Sequence, residues 1–283
     1  IRELWRARGL SKLTRTELVN RTSQWRRRLL APVPRPATPL PSETAVPPSL
    51  DRIAPRLVPT KRTRGVDQAE LTRWLLGLPG EDAELPPLRW PTLAETAARF
   101  GLTPGRVAQI MGERRRAWAA EQSLTAVREE LAEILSGLGR VAAASELVDQ
   151  LLASRGCVRE EIPERRRAYG YAVLRAAIEA DSNVEAPRFA TRRHAGRILV
   201  ALQVADDEPI DTPSDAALLD LAVALADEAV RLAARDPLPT PVTVVRTLAA
   251  VAERFGLVPA EQRLVRLAAA ASGSVLANAR LEL

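Results

Sequence analysis

TLAETAARFGLTPGRVAQIMGERRRAW, residues 92–118, divides into a helix ending at Phe100, a turn at Gly101-Leu102, and a second helix whose N-cap is Thr103 and whose first residue is Pro104. Ala97 lies four residues before Gly101. Two steeply crossing helices need a small side chain at their contact and a turn residue that tolerates positive φ, which is what these two positions supply. Val107 and Ile110, three apart, then face the first helix. This is the pattern of a helix-turn-helix.

With that register, Arg106, Gln109 and Glu113 fall on the outer face of the second helix, and Thr103 and Gly105 stand at its tip. A recognition helix presents base-reading and phosphate-contacting groups at such positions. Arg114, Arg115 and Arg116 extend the face with charge suited to phosphates. The expected DNA-binding set is therefore Thr103, Arg106, Gln109, Arg114, Arg115 and Arg116. An ordinary helical hairpin with a charged face would share this pattern.

Charge is distributed unevenly around the motif. Residues 1–120 carry 22 Lys and Arg against 11 Asp and Glu, whereas residues 121–283 carry 19 against 24. The first part thus has the electrostatic footprint of a nucleic-acid binder. Arginine outnumbers lysine 39 to 2, a skew that coding composition can also produce, so charge alone decides nothing. Ala, Leu, Arg and Glu dominate and aromatics make up 4% of the chain, which favours helix over strand.

Upstream, residues 1–30 suggest a basic amphipathic helix with Thr14 as N-cap and Glu17 three positions on. Seven prolines between Pro32 and Pro48 make residues 31–48 an extended linker. The 49–120 stretch adds a short helix before Pro59, the basic loop Lys61-Arg62-Thr63-Arg64, a helix over Asp67 to Leu76, and a loop over 77–91.

Downstream, residues 121–205 follow the order of a winged helix. Helices span Leu124 to Leu135 and Ser145 to Leu152, and a third follows Pro163. Two strands flank the His194-Ala195-Gly196 turn and form the expected wing. Arg165 and Arg166 on the third helix and Arg192, Arg193 and Arg197 on the wing form a second possible DNA or partner contact, opposed by Glu160, Glu161 and Glu164. Residues 206–283 follow an acidic Asp206-Asp207-Glu208 loop with three Ala/Leu-rich helices, over Asp215 to Ala234, Pro241 to Phe255 and Pro259 to Ala271. The expected fold class is mainly α: a helix-turn-helix, a winged-helix domain with a small β-hairpin, and a C-terminal helical bundle.

Several function classes lose support. Cys157 is the one cysteine and His194 the one histidine, which rules out an internal disulfide and a multi-Cys/His zinc site. Cys157 is expected to be a small buried residue, and His194 a solvated turn residue. The Gly137-x-Gly139-x-x-Ala142 pattern follows a helix rather than a strand and so fails the context of a dinucleotide fingerprint. Paired carboxylates, a nucleophile with its base, and a metal cluster are all illegible, so no catalytic residue is expected. Without a long uncharged apolar run or a signal-like start, a cytoplasmic location without membrane contact is expected. The chain opens on Ile1, which suggests a piece of a longer polypeptide.

Taken in order, the Pro-rich linker, RLVPTKRTRG, the helix-turn-helix, LSGLGRVAAASELVDQLLASRGC, RRRAYGYAVLRAAIEAD and the terminal LVRLAAAAS…ARLEL resemble the C-terminal, non-kinase region of PglW-type serine/threonine kinases. These kinases belong to bacteriophage-exclusion (BREX, phage growth limitation) systems. The helix-turn-helix separately resembles region 4 of sigma-70-type factors. The resemblance implies a complete polypeptide with a kinase domain that uses ATP and magnesium and works with other phage-defence proteins. Those cofactors are expected only for the parent kinase domain and none for this chain, which has no H-R-D, D-F-G or Gly-rich phosphate loop followed by a strand lysine. Three readings stay open: a region that binds double-stranded DNA and docks partners, a sigma-like transcription factor, and a helical protein-interaction scaffold.

Overall fold

The computed structural model of the chain describes residues 47–60, 67–79, 90–204 and 212–283. The helix expected near Thr14, most of the Pro-rich linker, the Lys61-Arg62-Thr63-Arg64 loop, most of the 77–91 loop and the Asp206-Asp207-Glu208 loop lie outside these residues.

Side-chain caps and left-handed terminators set the first helix boundaries. After α1 (Leu50–Ile53) and a 3-10 turn (Ala54–Leu57), α2 (Gln68–Leu76) starts on Asp67, whose carboxylate accepts from Ala69 N and Glu70 N, and stops at Gly77 with φ 69°. Helix α3 (Leu93–Phe100) opens with a capping box between Thr92 and Glu95 and ends at Gly101, φ 61°. Helix α4 (Pro104–Ala119) begins on Thr103, whose hydroxyl accepts from Arg106 N at 3.2 Å. Three residues thus separate two helices whose contact buries Ala97, Val107 and Ile110, the positions the sequence assigned to it.

From there the order is α5 (Gln122–Gly137), β1 (Val141–Ala143), α6 (Ala144–Arg155), α7 (Pro163–Asp181), β2 (Phe189–His194) and β3 (Arg197–Leu202). The strands form an antiparallel sheet in the order β1-β3-β2, with Val141 opposite Ala201 and His194 opposite Arg197. Ala195 and Gly196, both at positive φ, make the two-residue turn. Strand β1 was not anticipated: three small apolar residues carry no alternation because both faces of the sheet are covered. Ala142, Val200 and Phe189 face one core, whereas Val141, Ala143, Leu199 and Ala201 face the other.

The first core joins α1 and α2 to α4 through α7, with Leu57, Leu71, Ile110, Leu131, Leu147 and Val173 in one cluster. In the second, α8 (Asp215–Ala233) and α10 (Glu261–Ser272) pack against the opposite sheet face and α9 (Pro241–Glu253) packs on those two helices. The fold is therefore mainly α with a small antiparallel sheet, as the sequence indicated.

Helix α7 is the hub. Eleven of its 19 residues are buried, since α4, α5, α6, α1 and the 3-10 turn all pack on it. Arg175, on its buried side, donates to Leu75 O and Pro91 O and lies over the Trp90 ring; burial lowers its pKa to about 10. Asp181, 1% exposed, accepts from the backbone N–H of Arg188 and Phe189 and so ties the helix end to β2.

Gly170 marks the closest approach of α6 and α7, because a Cβ there would lie 2.7 Å from Val148 Cγ1. Alanine is otherwise preferred in a helix interior by about 1 kcal/mol, but Val148 is fully buried and β-branched, with little rotamer freedom. Gly170→Ala is therefore expected to cost about 1–3 kcal/mol, seen as a lower denaturant midpoint at unchanged slope. A gain in stability would mean that the two helices are free to separate.

Candidate nucleic-acid interface

Helix α4 has two unlike sides. Val107, Ile110, Met111 and Trp118 are buried, and Trp118 Nε1 donates to Leu57 O at 2.9 Å, fixing the C-terminal end of the helix on the 3-10 turn. Opposite them, Thr103, Gly105, Arg106, Gln109 and Arg116 are exposed and Glu113 is half-buried. Positions 106, 109, 113 and 116 recur at three- and four-residue spacing and make one stripe.

Geometry within the stripe is partly fixed. Arg106 Nη1 donates to Gln109 Oε1 at 2.7 Å, which leaves the Gln109 amide NH₂ and the remaining guanidinium donors facing solvent. Arg116 Nε reaches the Gly112 carbonyl at 3.3 Å. Neither arginine meets a carboxylate among the described residues, so both charges are available to an anionic partner. The N-terminus of α4 adds its positive dipole end and free N–H groups beside Thr103.

The other two arginines of the cluster point elsewhere. Arg115 forms an ion pair with Glu179 of α7 at 2.7 Å, and Arg114 is half-buried with its Nε enclosed. A helix has only one outward stripe, and three consecutive residues cannot share it. Arg99, exposed on the last turn of α3 with its guanidinium 4.0 Å from the Trp74 ring centroid, is a cationic surface residue the sequence did not single out. Its only sequence signal was a basic residue near a helix end.

The second set has partners on neighbouring elements, although Arg193 and Arg197 remain exposed. Arg192 pairs with Asp220 of α8, Arg193 donates to Trp90 O, and Arg197 donates to Gly273 O at 3.0 Å. His194 is paired rather than simply solvated, with Nε2 3.1 Å from Asp227 Oδ1. Arg165 lies 3.8 Å from Glu160, and Arg166 approaches Cys157. With α8 and α10 against the sheet, the hairpin's arginines reach across to neighbouring elements.

Cys157 is half-buried rather than fully buried, and burial followed by the nearby Asp51 carboxylate raises its pKa, the opposite of an activated thiolate. Among the described residues no group of three or more His, Cys, Asp or Glu could hold a metal ion, and no helix is long and apolar enough to cross a membrane.

Fold and surface together describe a mainly helical protein with a small antiparallel sheet, whose distinctive exposed chemistry is an arginine-bearing helix face. Over its whole length the chain is 35% identical, across 326 aligned positions, to "Probable kinase PglW" of Streptomyces coelicolor. The PglW-type resemblance read from the sequence is thereby shown along the entire chain. The chain spans 21% of that relative's length, in its C-terminal part. No family model matches the chain, and no solved structure matches it.

Proposed function

We propose that this chain is the DNA-binding and partner-docking region of a phage-defence serine/threonine kinase, with the kinase domain, its ATP and its magnesium outside these residues. In this reading residues 49–120 carry a helix-turn-helix of the sigma-region-4 type, residues 121–205 a winged-helix fold and residues 206–283 a helical docking domain. The observation that carries it is the exposed α4 stripe, where Arg106 and Arg116 meet no carboxylate among the described residues and Thr103 caps the open helix N-terminus. Arg106 and Gln109 enter the major groove of double-stranded DNA, while Thr103 and Arg116 hold phosphates. Arg114 and Arg115 chiefly brace α4, with Arg115 near enough to the surface to add long-range attraction.

The helix-strand-helix-helix-strand-strand order and the β1-β3-β2 sheet support the winged-helix reading of residues 121–205. Its third helix, α7, is enclosed along its middle and its hairpin arginines are engaged, so this module acts as the pedestal for α4 and as a surface for other phage-defence proteins.

The two arginine sets can be separated by titrating the chain with a short duplex. Arg106→Ala with Gln109→Ala is expected to weaken binding by about tenfold or more, since a good base contact contributes about 1–3 kcal/mol. Arg192→Ala with Arg193→Ala should change it by less than about twofold, given that Arg192 faces the Asp220 carboxylate and Arg193 donates to Trp90 O. Equal losses from both pairs would move the contact toward the hairpin.

A further inference from the structure

A cleft of about 660 Å³ is lined by α6, α10 and residues 273–277. Its aliphatic lining includes Ala269, Ala270 and Leu276, the last 89% exposed. Arginine lines it from three elements, with Arg167 at the start of α7, Arg197 on β3 and Arg266 on α10. The volume lies within the range of built ligand sites, and neither α4 nor its stripe takes part.

The arginines differ in how firmly they are held. Arg263 is fully engaged with Glu146, Leu138 O and Val141 O and locks α10 onto β1. Arg266 is exposed and meets no carboxylate among the described residues. Arg167 pairs with Asp149 at 2.7 Å, but both side chains are substantially exposed, 39% and 55%, and such a pair is readily exchanged for another. Arg197 reaches Gly273 O through one nitrogen only, and Gly273 leaves the room this needs, since a Cβ there would fall 2.4 Å from Arg197 Nε.

Aliphatic and cationic side chains lining one cleft complement a chain that alternates carboxylates with aliphatic side chains. Duplex DNA fits less well, because the aliphatic lining offers its phosphates no donor. We infer that this cleft binds an acidic, aliphatic peptide segment of a partner protein, its carboxylates on Arg266, Arg167 and Arg197 and its apolar side chains on Ala269, Ala270 and Leu276. The inference rests on the docking half of the proposed function, at a surface distinct from the α4 stripe.

The probe is a fluorescein-labelled peptide of alternating Glu and Leu, compared with one in which Gln replaces every Glu. Against the full 283-residue chain, the Glu peptide should bind at least about tenfold more tightly than the Gln peptide, a difference of about 1.4 kcal/mol. Arg167→Glu with Arg266→Glu should remove that difference and leave duplex binding within about twofold, whereas Arg106→Glu with Arg116→Glu should do the reverse. A fluorophore on Leu276→Cys, in a Cys157→Ser background, should shift its emission to the blue when the Glu peptide is added. No binding of the Glu peptide, equal binding of the Gln peptide, or equal loss from both arginine pairs would overturn the assignment. Loss of duplex binding in the cleft variant would make the cleft a nucleic-acid site instead.

Discussion

Reversing Arg106 and Arg116 to Glu is expected to weaken duplex binding by about 100-fold at low salt and to reduce the slope of log K against log salt by about 2. The reason is geometric: these are the two arginines of the 114–116 and 106–109 groups that lie on the exposed stripe of α4 without a carboxylate partner among the described residues. Each phosphate contact releases close to one counterion, so losing two of them must appear in the slope as well as in the affinity. Arg115→Glu is the informative companion. It would set a second carboxylate against Glu179 and lower stability while leaving the salt slope closer to the native value. A salt slope that is unchanged in the Arg106/Arg116 variant would remove α4 from the interface.

Trp118→Ala is expected to have the largest effect on stability, about 3–5 kcal/mol. The indole is 3% exposed, fills the junction between α4 and the 3-10 turn, and gives its N–H to Leu57 O. Truncation opens a cavity and leaves that carbonyl without its donor, two costs that add. Since Trp118 holds the end of the helix whose other face bears the stripe, DNA affinity should fall in parallel with stability and recover when temperature is lowered. Trp118→Phe retains most of the volume and loses only the hydrogen bond, so a cost of about 1–2 kcal/mol is expected, measured by denaturant midpoint. Equal stability of Trp118→Ala and the native chain would contradict the packing described for α4.

The helix pair at 92–118 was legible because its information is local. Thr103 caps the backbone three residues on and Gly101 acts through its own, while Ala97, Val107 and Ile110 declare the shared face through helical periodicity. The hairpin was legible for a similar reason, since a glycine turn lies just before the run of branched residues from Ile198 to Leu202. Strand β1 was not, because burial on both faces erased the period-two signal that marks a half-covered strand.

Site residues were legible only as to which side of their own helix they occupy. That Arg115 turns toward Glu179 follows from a partner 64 positions away, and that Arg193 ends on the Trp90 carbonyl depends on a contact across 103 positions. Nor could the start of α7, with three consecutive arginines, disclose that six other elements pack on the helix. Charge counts overstate a binding surface when long arginine side chains bridge elements inside the fold.

The claim that the α4 stripe meets duplex DNA is tested most directly by a photo-crosslinking side chain placed at Gly105, where a Cβ has open space and the backbone is helical. The account predicts a covalent adduct with a random-sequence duplex at physiological salt, competed away by unlabelled duplex, and none from the same group placed at exposed Thr191 on β2. Adducts from position 191 with none from position 105, or adducts from neither while partner proteins are captured at 105, would contradict it.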